Sequence, residues 1–131
     1  MNGNPFSLLL HLMASHNELG RWGEDLAAFY LEQKRYIILE RDWKSGHRDI
    51  DIIAVDTTTQ DLVFVEVKTR SNRQFGEPTD AIDDEKIRNL RLAANHYIKS
   101  CRFNNDIRFD IVTIVGSMNS EPEIDHIVNA F

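Results

Sequence analysis

The sequence predicts an α/β domain in which a central mixed β-sheet is flanked by helices. Three observations predict it. Apolar residues recur at helical spacing over 18–35 and again up to about residue 99. Between and after these segments lie four runs that are β-branched, aromatic and of strand length. The long second helix separates the third run from the fourth, which calls for a crossover and a parallel neighbour.

Residues 1–17 show no sustained period, and Pro5 with Asn2 and Asn4 predicts a loosely structured start ahead of one domain over 18–131. From Glu18 to about Arg35, Leu19, Trp22, Leu26, Phe29 and Tyr30 form a helical stripe. Glu24 falls in line with Ala27, Ala28 and Leu31, so this carboxylate sits either at the helix edge or at a site. Gly20 and Gly23 each lower helicity by about 1 kcal/mol relative to alanine, tolerable where another element must come close.

Tyr36 to Arg41 reads as a short strand, followed by a polar link around Lys44 to His47. DIDIIAVD (49–56) and LVFVEVKTR (62–70) are the strongest strand candidates, and the polar turn Thr57 to Gln60 makes them an antiparallel hairpin. Gly76 and Pro78 mark 71–79 as a loop. A helix then starts near Asp80 or Asp83 and ends near Lys99, with Ile87, Leu90, Ala94, Tyr97 and Ile98 inward and acids in its first turns, as the helix dipole prefers. Phe109 to Val115 is a strand, Gly116 to Pro122 a turn, and Ile124 to Phe131 a final edge strand or capping segment.

Size and composition exclude several classes. With 131 residues, 42% hydrophobic, the chain builds one modest core rather than two. No run approaches the roughly 20 apolar residues of a membrane span, and the start lacks the basic region of a signal peptide. A single cysteine, Cys101, excludes an internal disulfide and cysteine-based zinc sites, and the five histidines lack ligand spacing. Together these predict a cytoplasmic chain with no membrane partner. The net charge of -6 excludes a strongly cationic coat for nonspecific nucleic-acid binding. The 15 basic residues all lie between Arg21 and Arg108, however, so a bound divalent cation could still make the local surface attractive to phosphate.

Strand alternation puts Leu62, Phe64, Glu66 and Lys68 on one face and Val63, Val65, Val67 and Thr69 on the other. If Asp56 faces Asp61 across a symmetric turn, paired positions sum to 117, so Asp51 faces Glu66 and Asp49 faces Lys68. Two opposed carboxylates have Cβ atoms about 5 Å apart and repel unless a proton or a cation intervenes. Magnesium, or manganese in its place, suits such a pair: it takes oxygen ligands and keeps waters that can be aimed at a phosphodiester. Asp51, Glu66 and the backbone carbonyl of Val67 are the candidate ligands, with Glu24 and Asp49 as further ones. Asp49 is alternatively an ion-pair partner of Lys68 or Arg48. Lys68 could orient or deprotonate a water, or stabilise charge on the phosphate. Arg70, Arg73 and Phe75 are candidate DNA contacts, and Lys86, Arg88 and Arg91 form a second basic group adjoined by acids.

Asp51, a 14-residue interval, then Glu66, Val67 and Lys68 resembles the PD-(D/E)xK nuclease signature, with Ile50 where proline is usual. GRWGEDLAAFYLE (20–32), RDIDIIAVD (48–56), LVFVEVKTR (62–70), FGEPTDAI (75–82) and RFDIVTIV (108–115) are similar to a family of small bacterial predicted endonucleases related to archaeal Holliday junction resolvases. The resemblance covers nearly everything after Leu19. It implies a restriction-endonuclease-like core and hydrolysis of DNA, branched DNA included, by a metal-activated water. It matches Glu24 to the first-helix glutamate, Asp51 to the metal-binding aspartate and Glu66 with Lys68 to the catalytic ExK pair; at position 49 an aspartate replaces the usual glutamate. A homodimer is a further expectation. The competing reading is a non-catalytic DNA- or protein-binding accessory factor on the same fold.

Overall fold

The computed structural model describes residues 15–74 and 76–131. In chain order these form α1 (Ser15–Gln33), β1 (Tyr36–Ser45), β2 (Arg48–Asp56), β3 (Asp61–Arg70), a 3-10 turn (Pro78–Ala81), α2 (Asp84–Cys101), β4 (Ile107–Val115) and β5 (Glu123–Ile127). The sheet order is β1-β2-β3-β4-β5; only β3 and β4 are parallel, joined by the crossover through α2. The predicted mixed sheet and element order are therefore present.

Each helix covers one face. Ala27, Ala28 and Leu31 of α1 pack on Ile52, Ala54, Val63, Val65, Val112 and Ile114, whereas Leu90, Ala93, Ala94 and Tyr97 of α2 pack on Ile50, Ile53, Leu62, Phe64 and Phe109. Small alanines on both helices let the backbones approach the sheet, and the β-branched residues fill the pleats. Among the described residues no helix is long and apolar enough to cross a membrane.

Three boundaries differ from the sequence reading. Helix α1 begins at Ser15 rather than Glu18, so residues 15–17 of the segment expected to be loose are helical; residues 1–14 of it lie outside the described residues. Strand β1 continues to Ser45, pairing Trp43 with Ile50, Lys44 with Asp49 and Ser45 with Arg48. Polarity there reflects an edge position, not a loop, and Trp43 anchors it by an edge-to-face contact with Tyr97, centroids 5.2 Å apart. Asp83, not Asp80, caps α2 by accepting from the Lys86 N–H at 2.9 Å; Asp80 belongs to the preceding 3-10 turn.

The end of the sheet at the β2–β3 turn is clamped by a buried ion network. Arg108 donates to both oxygens of Asp110 at 2.9 Å, to Asp56 at 3.0 Å and to Asp61 at 3.2 Å, while Tyr36 accepts at 2.5 Å. His126 Nε2 lies 2.7 Å from Asp110. Although burial raises the pKa of a carboxyl group, the Thr58 hydroxyl and N–H and the Arg108 guanidinium hold Asp56 down to about 2. Asp110 is likewise lowered by His126, Arg108 and the Asn129 N–H, which outweigh its burial.

Candidate functional site

The β2–β3 ladder runs from Asp56↔Asp61 to Ile52↔Val65, every pair summing to 117 as the symmetric turn predicts. One residue further, the Asp51 carboxylate enters between the strands and accepts from the Val67 N–H at 2.8 Å. A side chain thus takes a backbone donor of β3 at the point where the recorded pairing stops. Glu66 is on the same strand, 3% exposed at its side chain. Its Oε2 lies 3.2 Å from Lys68 Nζ and 3.4 Å from Lys86 Nζ, and its Oε1 is buried with no hydrogen-bond partner among the described residues. A buried carboxylate oxygen left without a partner carries a desolvation penalty, which the two ammonium groups on the other oxygen offset only in part.

Electrostatics mark the same spot. Asp51 still shows some surface to solvent, yet dense protein surrounds its carboxyl; this burial, then the negative charge of Glu66 and that of Glu24, raise its pKa well above the ordinary aspartate range. The Val67 N–H and Lys86 act the other way without offsetting the rise. Glu24 is raised as well, by burial and by Asp42, Asp49 and Asp25, against the opposing pull of Arg41. The acids crowd one end of the sheet with too few counter-charges of their own.

Helix α1 delivers Glu24 because Gly23 lets it sit close on β3. A Cβ at Gly23 would fall 1.9 Å from Thr69 Oγ1, whereas one at Gly20 would meet nothing within 4 Å among the described residues. Among the described residues, the close approach expected of the two glycines belongs to Gly23.

The structure brings Asp51, Glu66 and Lys68 together and sets Glu24 within electrostatic reach of Asp51. Other placements differ. Asp49 stands across from Lys44 of β1, with its carboxylate 3.6 Å from Lys44 Nζ, and not against Lys68 or Arg48; the edge strand, longer than predicted, supplies the nearer cation. Arg70 is exposed and donates to the Thr69 carbonyl at 2.9 Å. Arg73 is held by Glu77 at 3.0 Å, by Glu123 and by Asp125 at 4.0 Å, so its charge is already matched. Phe75 lies outside the described residues. The second basic group divides: Lys86 turns to Glu66, Arg88 is exposed, and Arg91 stands over the Phe109 and Phe131 rings at 5.9 Å. Lys86 as a partner of Glu66 escaped the sequence reading, because only the crossover brings the first turn of α2 to that strand.

Among the described residues no group of three or more His, Cys, Asp or Glu side chains is gathered closely enough to hold a metal ion. The unpartnered Glu66 Oε1, with Asp51 beside it, is nevertheless a donor set of the kind that a hard divalent cation takes.

The fold and site define an α/β protein whose mixed sheet carries a carboxylate pair flanked by lysines. The chain belongs to a family described as Uncharacterised protein family UPF0102, whose model matches residues 23–114, a span that holds Glu24, Asp51, Glu66 and Lys68. It is 46% identical over 119 residues to a UPF0102 protein of Bacteroides thetaiotaomicron, covering 91% of this chain and 96% of that protein. A UPF0102 protein of Flavobacterium johnsoniae is 48% identical over 123 residues (91% and 98%), and one of Syntrophomonas wolfei 44% over 117 residues (88% and 99%).

Proposed function

We propose that the protein is a metal-dependent endonuclease that hydrolyses DNA phosphodiesters on a restriction-endonuclease-like core of the PD-(D/E)xK kind. The observation that carries this reading is the buried, unpartnered Oε1 of Glu66 beside a carboxyl group of raised pKa. Functional sites are where such uncompensated groups concentrate. Asp51 and Glu66, with the Val67 carbonyl, would hold Mg2+ or Mn2+. When bound, such an ion supplies Lewis-acid charge for the phosphoryl oxygens and lowers the pKa of a water by several units.

The chain's own residues supply the rest. Lys68, 3.2 Å from Glu66, places an ammonium where it can orient water or stabilise charge on the phosphate during attack opposite the leaving 3′ oxygen. Glu24 adds negative charge that raises the demand for a cation at Asp51. Val67 fixes Asp51 through its N–H. With a net charge of -6, affinity rests on a local positive patch and on the shape of a branched or flexible DNA rather than on a general cationic surface.

One observation favours a second reading. Lysines already occupy Glu66 Oε2 and no three-carboxylate cage stands assembled among the described residues, as in a non-catalytic DNA- or protein-binding factor that keeps the fold. Cleavage of end-labelled linear, flap and four-way DNA in Mg2+ or Mn2+ separates the two. On the nuclease reading Glu66→Ala and Lys68→Ala each lower the rate by about 10²–10⁴, the range for a positioned catalytic group. Absence of cleavage by the wild type would favour the binding factor, and cleavage by both variants at the wild-type rate would overturn the assignment of Glu66 and Lys68.

A further inference from the structure

The spacing of the strand motif assigns one lysine to Glu66, but the fold brings two to the same oxygen. Lys68 reaches Oε2 from within β3 at 3.2 Å, and Lys86 reaches it from the first turn of α2 at 3.4 Å. The Lys86 backbone is fixed by the Asp83 cap, whereas its side chain is a flexible four-carbon stem.

That same side chain lines a second feature. A pocket of about 80 Å³ lies between the start of β2 and α2, lined by His47, Arg48, Asp49, Lys86, Asn89 and Leu90. Arg48 is steadied there by donating from Nε to Asn89 Oδ1 at 3.2 Å, which orients a guanidinium on the pocket wall. A fixed guanidinium, an ammonium and an imidazole around a small concavity suit a tetrahedral oxyanion; the single acid of the lining, Asp49, is drawn toward Lys44.

We propose that Lys86 has two positions: it stands on Glu66 in place of a divalent cation, and on cation binding it turns into the pocket to grip, with Arg48 and His47, a phosphate of the DNA strand next to the one being cleaved. The proposal rests on the nuclease reading. Its physical basis is that a doubly charged ion and an ammonium repel when both sit against one carboxylate, and that Lys86 has an anion-seeking pocket within the sweep of its own stem. Lys86 is thereby a positioning residue that couples metal and DNA binding.

The test measures two affinities with opposite expected signs. Mn2+ binding is titrated by electron paramagnetic resonance or calorimetry, and binding of a fluorescent four-way DNA is followed in Ca2+ over a series of salt concentrations. Lys86→Ala removes the competitor, so Mn2+ binds about tenfold more tightly. DNA binds about three- to tenfold more weakly, and the slope of log affinity against log salt falls by about 1. Lys86→Arg retains the salt slope, showing that a charge and not merely a packed stem is required. If wild type binds both ligands and Lys86→Ala moves both affinities the same way, or neither, this inference fails alone. If the wild-type protein binds neither Mn2+ nor DNA, the nuclease reading fails with it.

Discussion

Replacing Gly23 by alanine tests how helix α1 reaches the candidate site. The added Cβ would lie 1.9 Å from Thr69 Oγ1 and 2.9 Å from both Thr69 Cβ and Cγ2, against an ordinary carbon contact of about 3.5–4.0 Å. Rotating Thr69 moves its hydroxyl but leaves Cβ in place, so the helix must lift by roughly 0.5–1 Å. Overpacking of this kind costs about 1–3 kcal/mol, offset by up to about 1 kcal/mol from the better helix propensity of alanine. Gly20→Ala is the control, since its Cβ meets nothing within 4 Å among the described residues and it receives the propensity gain alone. The two variants should therefore differ by about 1–3 kcal/mol, a gap of roughly 1 M in urea midpoint at the slopes usual for this size. Lifting α1 also displaces Glu24, and a misplacement near 1 Å lowers a nuclease rate by about 10²-fold. Equal urea midpoints for the two variants would show that α1 does not rest on β3 at Gly23.

Arg108→Leu should destabilise by about 3–5 kcal/mol at neutral pH, measured by urea unfolding, because Asp56 and Asp110 are left buried without their guanidinium. For the wild type, Asp56 held at about 2 stabilises the fold above its unfolded pKa of about 3.9, and this contribution of about 2–3 kcal/mol is lost as pH falls through about 2. The Arg108→Leu deficit should accordingly shrink between pH 7 and pH 3; a constant deficit would contradict the assigned network. Asp51 carries the opposite sign: with its pKa raised by burial and Glu66, it favours the folded state below about pH 3.9, an advantage lost as pH rises through its native pKa. Asp51→Asn should stabilise the protein at pH 7 by about 0.5–2 kcal/mol and, on the proposed nuclease reading, weaken Mn2+ binding; thermal unfolding at pH 4 and 7 should show the gain closing toward acid.

The strand motif made much of the site legible, because alternation and a symmetric turn fix which residues of β2 and β3 face one another. The sum of 117 holds through every recorded pair. It breaks down as a guide at Asp51, where the side chain replaces a backbone acceptor for Val67, an event that no periodicity encodes. It also misplaces Asp49, whose partner comes from β1: Trp43 to Ser45 look polar and irregular in sequence but are held as an edge strand by pairing with 48–50. Lys86 and Arg108 were illegible for the same physical reason. Each acts across a parallel crossover, and sequence distance says nothing about which turn of a helix arrives beside which strand residue. Gly23 was half legible: the wish for a close approach shows in the pair of glycines, but only the contact with Thr69 says which one makes it.

Two acid clusters on one sheet are treated in opposite ways by the fold. At the β2–β3 turn Asp56, Asp61 and Asp110 converge on Arg108, with Tyr36 and His126 completing the hydrogen bonds, and the pKa values of Asp56 and Asp110 are lowered. Every buried oxygen of these groups has a partner, as folding requires of buried charge. Further along the same two strands Asp51 is raised, and Glu66 is nearly inaccessible with one oxygen facing no donor. A chain that satisfies three carboxylates so completely at one end of its hairpin has the means to satisfy two more. Keeping Asp51 raised and one oxygen of Glu66 without a donor, while two lysines stand on its other oxygen, lowers the stability of the folded protein, and Asp51→Asn measures the share that belongs to Asp51. The deficit gathers at Asp51, Glu66 and the neighbouring Glu24, while the other acid cluster of the same sheet is compensated, and this contrast is what supports the proposed site.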